Sequence, residues 1–128
     1  MKCLSVQQPW AWAIIHGPKR IENRRWLTRY RGPLLIHAGR SKLRIGDEGD
    51  SLPELPPYCT LPFGCLIGQV ELVDCLPLEQ VNGQPFAEGP FCWILASPKA
   101  LPEPIPYRGH QQIFNVPDEV LQLPADQW

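Results

Sequence analysis

The chain has 128 residues and carries 12 Lys and Arg against 13 Asp and Glu, a formal net charge of -1. That length is enough for one modest core and makes a second domain unexpected. No apolar run approaches the roughly 18 residues of a membrane helix, and the start lacks a basic segment followed by an apolar one, so a soluble, cytoplasmic protein without membrane contact is expected.

The small net charge hides a steep asymmetry. Met1 to Ile45 holds ten basic residues and one acid, Glu22, a net of +9, whereas Gly46 to Trp128 holds two basic and twelve acidic residues, a net of -10. If the basic third stays on one side of the fold, that side attracts anionic ligands. If the halves face one another, they neutralise. The five cysteines form no C-x-x-C and have no histidine at zinc spacing, so neither a disulfide framework nor a metal site is indicated and buried, reduced thiols are expected. No cofactor is indicated either. Sixteen prolines, well above the usual share of about 5%, mark many short elements.

In chain order, Lys2 to Val6 reads as a first strand. Pro9 opens a short helix that Gly17 closes. That helix is apolar on almost every side and needs burial to survive, which assigns Trp10 and Trp12 to the core. Pro18 to Trp26 reads as a strand, Leu27 to Gly32 as a turn and Pro33 to Ala38 as a buried strand, in which His37 is expected to be a hydrogen-bonded core imidazole. Residues 46–62 are acidic, proline-rich and aperiodic, and are expected to form a mobile loop. Phe63 to Cys75 is the clearest strand, with glycines that suggest a bulge. Leu78 to Pro90 is a connector with an Asn82-Gly83 turn signal. Phe91 to Ala96 is another buried strand, Pro98 to Pro106 an extended proline-punctuated segment, and Ile113 to Val116 a last short strand before a brief C-terminal helix. The fold class that follows is α+β, mainly β: a small, partly closed barrel of about five or six strands with short flanking helices.

The dense charge cluster in GPKRIENRRW (Gly17 to Trp26) is the candidate site. On a strand, alternate side chains share a face, so Arg20, Glu22, Arg24 and Trp26 point one way. Lys19 joins them only if the Gly17-Pro18 turn has not yet released the chain into regular pleat. The competing reading is an edge strand whose charges deter edge-to-edge pairing. Arg31, Arg40 and Lys42 extend the basic patch. Glu71, a carboxylate among apolar neighbours, either points to solvent or lies in a cleft where desolvation raises its pKa. No phosphate loop, dinucleotide fingerprint, H-E-x-x-H or nucleophile elbow occurs. A lysine, two glutamates and a group of arginines remain, which suit phosphate or carboxylate binding, or amide hydrolysis by a lysine of depressed pKa.

The segments LSVQQPWAWAIIHGPKRIENRRW, YRGPLLIHAGR, IGQVELVDC and PIPYRGHQQIFNVP, in that order, resemble the ASCH domain family. The resemblance spans nearly the whole chain, and S-x-x-Q-P-W followed by G-x-K-x-x-E-x-R is its most specific part. It implies a PUA-like fold and RNA binding through a cleft beside the barrel, with Lys19, Glu22 and Arg24 in the cleft. One branch of the family hydrolyses acetylated cytidine with a lysine, a threonine three residues on and a glutamate from a later strand, and another branch contains ribonucleases. By that resemblance the catalytic positions here are Lys19, Glu22 and Glu71. Glu22 stands where that branch has threonine, and a carboxylate does not serve as a neutral hydroxyl nucleophile. Gln112 stands where the last motif often has glycine.

Three readings follow. The first is an RNA, nucleotide or modified-base binding module in which Arg20, Arg24, Arg31, Arg40 and Lys42 hold phosphate and Trp26 stacks on a base. The second is a hydrolase of a nucleoside amide or an RNA phosphodiester using Lys19 with Glu22 or Glu71. The third is a small-ligand or protein-partner module. The oligomeric state is not legible from the sequence.

Overall fold

The computed structural model describes residues 1–42 and 61–121, with the side chains of residues 41 and 42 outside that description. Residues 46–60 of the expected mobile loop, Cys59 among them, and the end of the expected C-terminal helix lie outside the described residues.

The elements run β1 (Lys2–Gln8), α1 (Trp10–Ile15), β2 (Ile21–Arg24), β3 (Gly32–Lys42), β4 (Cys65–Pro77), β5 (Phe91–Pro106), β6 (Ile113–Asn115) and α2 (Asp118–Leu121), with a 3₁₀ turn at Leu78–Gln80. The strands form one six-stranded sheet in the order β2-β5-β4-β3-β1-β6. β1 and β3 pair in parallel, and the other neighbours are antiparallel. Register shifts at three places between β4 and β5, and one between β3 and β4, bend the sheet into a curled half-barrel.

The sheet is apolar on both faces at its centre, which is why Leu34 to Ala38 of β3 are buried without alternation. On one face Leu4, Leu34, Ile36, Val70 and Trp93 pack under Ile14 and Ile15 of α1. On the other, Cys3, Leu35, Leu66, Leu101 and Val116 form a smaller cluster against Phe114 and Leu121. α1 reaches the sheet closely because Gly68 has no side chain: a Cβ there would sit 2.6 Å from the Lys99 carbonyl and 2.7 Å from Ile15 Cδ1.

Several expectations are corrected. The core side of α1 is made of Ala11, Ala13, Ile14 and Ile15, while Trp10 and Trp12 stay half-buried. The small residues let the helix lie close to the sheet, and the indoles are displaced to its flanks. Pro98 to Pro106, expected to be extended, continues the strand begun at Phe91 as the second half of the 16-residue β5, paired to β4 from Lys99↔Gln69 to Pro106↔Cys65. Prolines are admissible there because β2 covers β5 only as far as Ile94, leaving the missing N–H groups an unpaired edge to face. The described cysteines Cys3, Cys65, Cys75 and Cys92 are free and buried. Burial pushes the Cys3 thiol up to about 12. Among the described residues no helix is long and apolar enough to cross a membrane.

Candidate functional site

The site begins where α1 ends. The N–H groups of Gly17 and Lys19 both donate to the Ala13 carbonyl, so the chain is still held against the helix at Lys19, and β2 starts only at Ile21. Lys19 is therefore not in strand pleat, and its side chain lies on the same side as Glu22. Lys19 is 4% exposed and Glu22 8%. Lys19 Nζ lies 3.8 Å from Glu22 Oε1, and Arg24 Nη2 lies 2.9 Å from Glu22 Oε2. The expected triad thus converges. β2 is indeed an edge strand, but its acid and the two flanking cations turn inward rather than lining the open edge.

Around Lys19 the chain builds a small aromatic box. Nζ donates to the Ile21 carbonyl at 2.5 Å and stands 5.2 Å from the ring centres of both Trp10 and Phe86. The two rings meet edge to face at 6.2 Å. Burial lowers the pKa of Lys19, a shift opposed by the charges of Glu22 and Glu88 and reinforced by Arg24. Beside it lies a cavity of about 150 Å³ lined by Trp10, Lys19, Glu22, Asn23, Phe86 and Glu88. That is the space of about five water molecules, enough for one small ring and not for a stacked pair.

Phe86 and Glu88 come from the connector between β4 and β5, and Asn23 holds them there. Asn23 Nδ2 donates to the Phe86 carbonyl, and its Oδ1 accepts from the N–H groups of Glu88 and Gly89, each at 2.9 Å. All three bonds span more than sixty residues, so no local signal marked these positions. Phe86 itself has a φ of 68°, a conformation uncommon for a bulky residue and held by its surroundings. Asn23→Ala is expected to speed hydrogen exchange at the Glu88 and Gly89 amides by about fivefold, because each loses an acceptor worth about 1 kcal/mol. Unchanged exchange at those two amides would show that the connector is held by something else.

The far side of Arg24 faces a second hollow. The same Nη2 that bonds Glu22 donates to the Ser5 carbonyl at 2.8 Å, and Arg24 Nε is buried without a partner among the described residues. Ser5 is one wall of a broad basin of about 540 Å³ that also involves His37, Arg40, Arg108, Gly109 and His110.

The remaining sequence candidates separate. Arg20 does not join Glu22. It precedes β2 and turns back to donate from Nη1 to the carbonyls of Ile14, Gly17 and Lys19, closing the end of α1. Trp26 packs edge to face on Trp93 at 4.7 Å, and its carbonyl accepts from Trp93 Nε1, so it is part of the core margin. Arg31 is exposed and paired with Asp74 at 3.2 Å, away from the cavity. Arg40 lines the basin. The side chain of Lys42 lies outside the described residues. Glu71 is exposed, paired across the sheet with Pro33 and Ala96 and close to Tyr30, and it is not part of the cavity lining. The cause is strand alternation: Val70 and Leu72 face the core, so Glu71 and Val73 face outward. His37 is the hydrogen-bonded buried imidazole expected from its strand. Among the described residues no three His, Cys, Asp or Glu side chains are grouped to hold a metal ion.

The order and geometry of these motifs agree with one family, and residues 4–116 match the ASCH domain. The chain belongs to the ASCH domain family. Activating signal cointegrator 1 of Homo sapiens is 32% identical over 137 residues, covering 94% of this chain, and its Mus musculus counterpart is 32% identical over 136 residues with the same coverage. The chain spans only 23% of the length of either relative. A crystal structure of the ZmASCH protein from Zymomonas mobilis superposes with a TM-score of 0.63 at 15% identity, covering 94% of this chain and 93% of that one. At that identity the likeness concerns the fold, and it agrees with the PUA-like half-barrel. In this ASCH domain Lys19 and Glu22 line the smaller hollow, and Arg24 joins Glu22 to Ser5, which lines the larger one. Ser5, Asn23, Phe86, Glu88, Arg108 and His110, which the sequence reading did not single out, complete them.

Proposed function

We propose that this ASCH domain binds RNA or a nucleotide, with a base entering the Lys19 cavity. The observation that carries the reading is the convergence of Lys19, Glu22 and Arg24 on a recessed space flanked by two aromatic rings. Trp10 and Phe86 offer apolar and π surface to a heterocycle. Glu22 Oε1 is the less engaged of the two carboxylate oxygens, because its distance to Lys19 Nζ is beyond hydrogen-bond range. Together with Glu88 it supplies acceptors for an exocyclic amino group, while Lys19 supplies a donor for a ring nitrogen or carbonyl. Trp10 thereby takes the stacking role that the sequence had given to Trp26.

The test is titration of the protein with short single-stranded RNA across a salt series. Affinity is expected to fall as salt rises, with a log–log slope of about -0.7 for each phosphate engaged. Lys19→Met is expected to weaken binding by about tenfold or more, the usual cost of a lost hydrogen bond from a charged donor. Absence of binding at low salt would overturn the reading.

One observation favours a second reading, hydrolysis of a modified-nucleoside amide or an RNA phosphodiester: the depressed pKa of Lys19 is what an amine needs to act as base or nucleophile near neutral pH. With Glu71 away from the cavity lining, Glu22 and Glu88 are the acids within it. Incubation with acetylated cytidine and with RNA, comparing wild type, Lys19→Met and Glu22→Gln, separates the readings. Turnover unchanged by either substitution would remove this site as the catalyst.

A further inference from the structure

The broad basin beyond Arg24 is unused by the reading above, and its chemistry differs from that of the Lys19 cavity. Among the described residues no carboxylate lines it. Arg40 and Arg108, both exposed, approach it from the end of β3 and from the turn after β5, and neither forms an ion pair with a described residue. His110 adds a third nitrogen base, its ring 5.0 Å from that of Phe114.

The floor is built rather than incidental. His37, 1% exposed, places Nε2 2.7 Å from the Tyr107 carbonyl, so that nitrogen carries the proton and donates. In the neutral ring Nδ1 then accepts from the Ser5 hydroxyl at 2.9 Å. Burial, the largest influence on it, lowers the pKa of His37, with Arg40 and His110 acting the same way against the Tyr107 hydrogen bond. His37 therefore acts as a neutral positioning residue: through Tyr107 it fixes the turn that carries Arg108 and His110. Gly109 makes that turn fit, since a Cβ there would lie 2.8 Å from His37 Cε1 and 3.1 Å from Ser5 Oγ. Gly39 approaches Ser5 Oγ from the other side, where a Cβ would lie 3.4 Å away. Two side-chain-free backbone segments thus sit low beside the floor, and the arginines rise above it.

We propose that this basin is a phosphate subsite, taking the phosphate group of the same nucleotide or strand whose base enters the Lys19 cavity. It rests on the proposed nucleotide-binding reading. Two arginines without acidic partners among the described residues, in a hollow that no described carboxylate lines, match a phosphate in charge and in donor geometry. Spacing supports the link: one guanidinium nitrogen touches both Glu22 Oε2, in the wall of the cavity, and the Ser5 carbonyl, in the wall of the basin. One residue of each hollow, Glu22 and Ser5, is thus tied to the same Arg24 head group.

The test uses the full chain and the variants Arg40→Gln, Arg108→Gln and their double. Binding of cytidine, its 5′-monophosphate, inorganic phosphate, and short RNA with and without a terminal phosphate is measured by calorimetry and by amide shifts of Gly109 and His110. The double variant is expected to lose tenfold or more in affinity for the monophosphate, keep its affinity for cytidine within twofold, and reduce the RNA salt slope by about 0.7, the value for one phosphate contact on a single strand. Because both arginines are exposed, its unfolding midpoint should match wild type. Loss confined to RNA bearing a terminal phosphate identifies the source as a strand end, and equal loss with both RNAs identifies an internal phosphodiester. Either upholds the subsite. RNA binding that persists with an unchanged salt slope in the double variant overturns the subsite and leaves the nucleotide reading standing. Inorganic phosphate shifting Gly109 and His110 in wild type alone, with no RNA bound at any salt, does the reverse.

Discussion

Glu22→Ala is expected to lower the stability of the domain by about 3 kcal/mol or more, the usual cost of removing one member of a buried ion pair. The carboxylate stands between Lys19 and Arg24, and both cations keep most of their burial when it is gone. Lys19 retains only its bond to the Ile21 carbonyl, and Arg24 its bond to Ser5. Glu22→Gln should lose less, since the amide oxygen still accepts from Arg24. Urea unfolding of the three proteins measures the difference. A loss below about 1 kcal/mol for the alanine variant would mean that the pair behaves as a surface bridge. The pH dependence has a definite sign. Lys19 has a folded-state pKa below its ordinary 10.5. Below that folded value the lysine is charged in both states, and the full cost of burying the charge is present. As pH rises through the folded pKa toward 10.5, the folded protein releases its proton first and this contribution gains stability. Removing Glu22, whose charge holds the value up, drops the folded pKa further and starts the gain at lower pH. Wild type and Glu22→Ala should therefore converge in stability as the solution is made alkaline.

Trp93→Ala should cost about 3–5 kcal/mol, the range for truncating a fully buried large aromatic. Trp93 is 0% exposed, lies opposite Glu22 across the β2–β5 pair and opposite Cys75 across β4–β5, and donates to the Trp26 carbonyl. Its loss opens a void directly behind the site strand and releases the turn that follows β2. Trp93→Phe keeps most of the packing and removes the hydrogen bond, so its loss relative to wild type measures mainly that bond, about 1 kcal/mol, and the further loss in Trp93→Ala measures the packing. Equal losses in both variants would place the whole effect in the indole hydrogen bond and contradict the packing account.

The charge triad was legible because its geometry is local. Lys19, Glu22 and Arg24 lie within six residues, and a helix stop followed directly by a strand start fixes their relative directions. Helix α1 was equally legible between Pro9 and Gly17, as were the strands around Leu35, Val70 and Ile94. What could not be read depends on contacts across the chain. Phe86 and Glu88 sit in a connector whose sequence signals only a turn, and Asn23 binds them from more than sixty residues away. Arg108 and His110 become neighbours of Ser5 and Arg40 only once β1 and β3 pair. For Glu71 the sequence left solvent and cleft both open, and the inward face taken by Val70 and Leu72 decides for solvent. Arg20 satisfies the pattern of a strand residue but is engaged by the carbonyls of Ile14, Gly17 and Lys19 at the end of α1 and just beyond it.

The four shielded sulfurs have a practical consequence. A thiol reacts as the thiolate, so Cys3, at about 12 and fully enclosed under β6, is doubly protected while the domain is intact. Alkylation at that position therefore records departures of the first strand from its neighbours, and the protein contains its own intrinsic reporter of transient opening, with no added label.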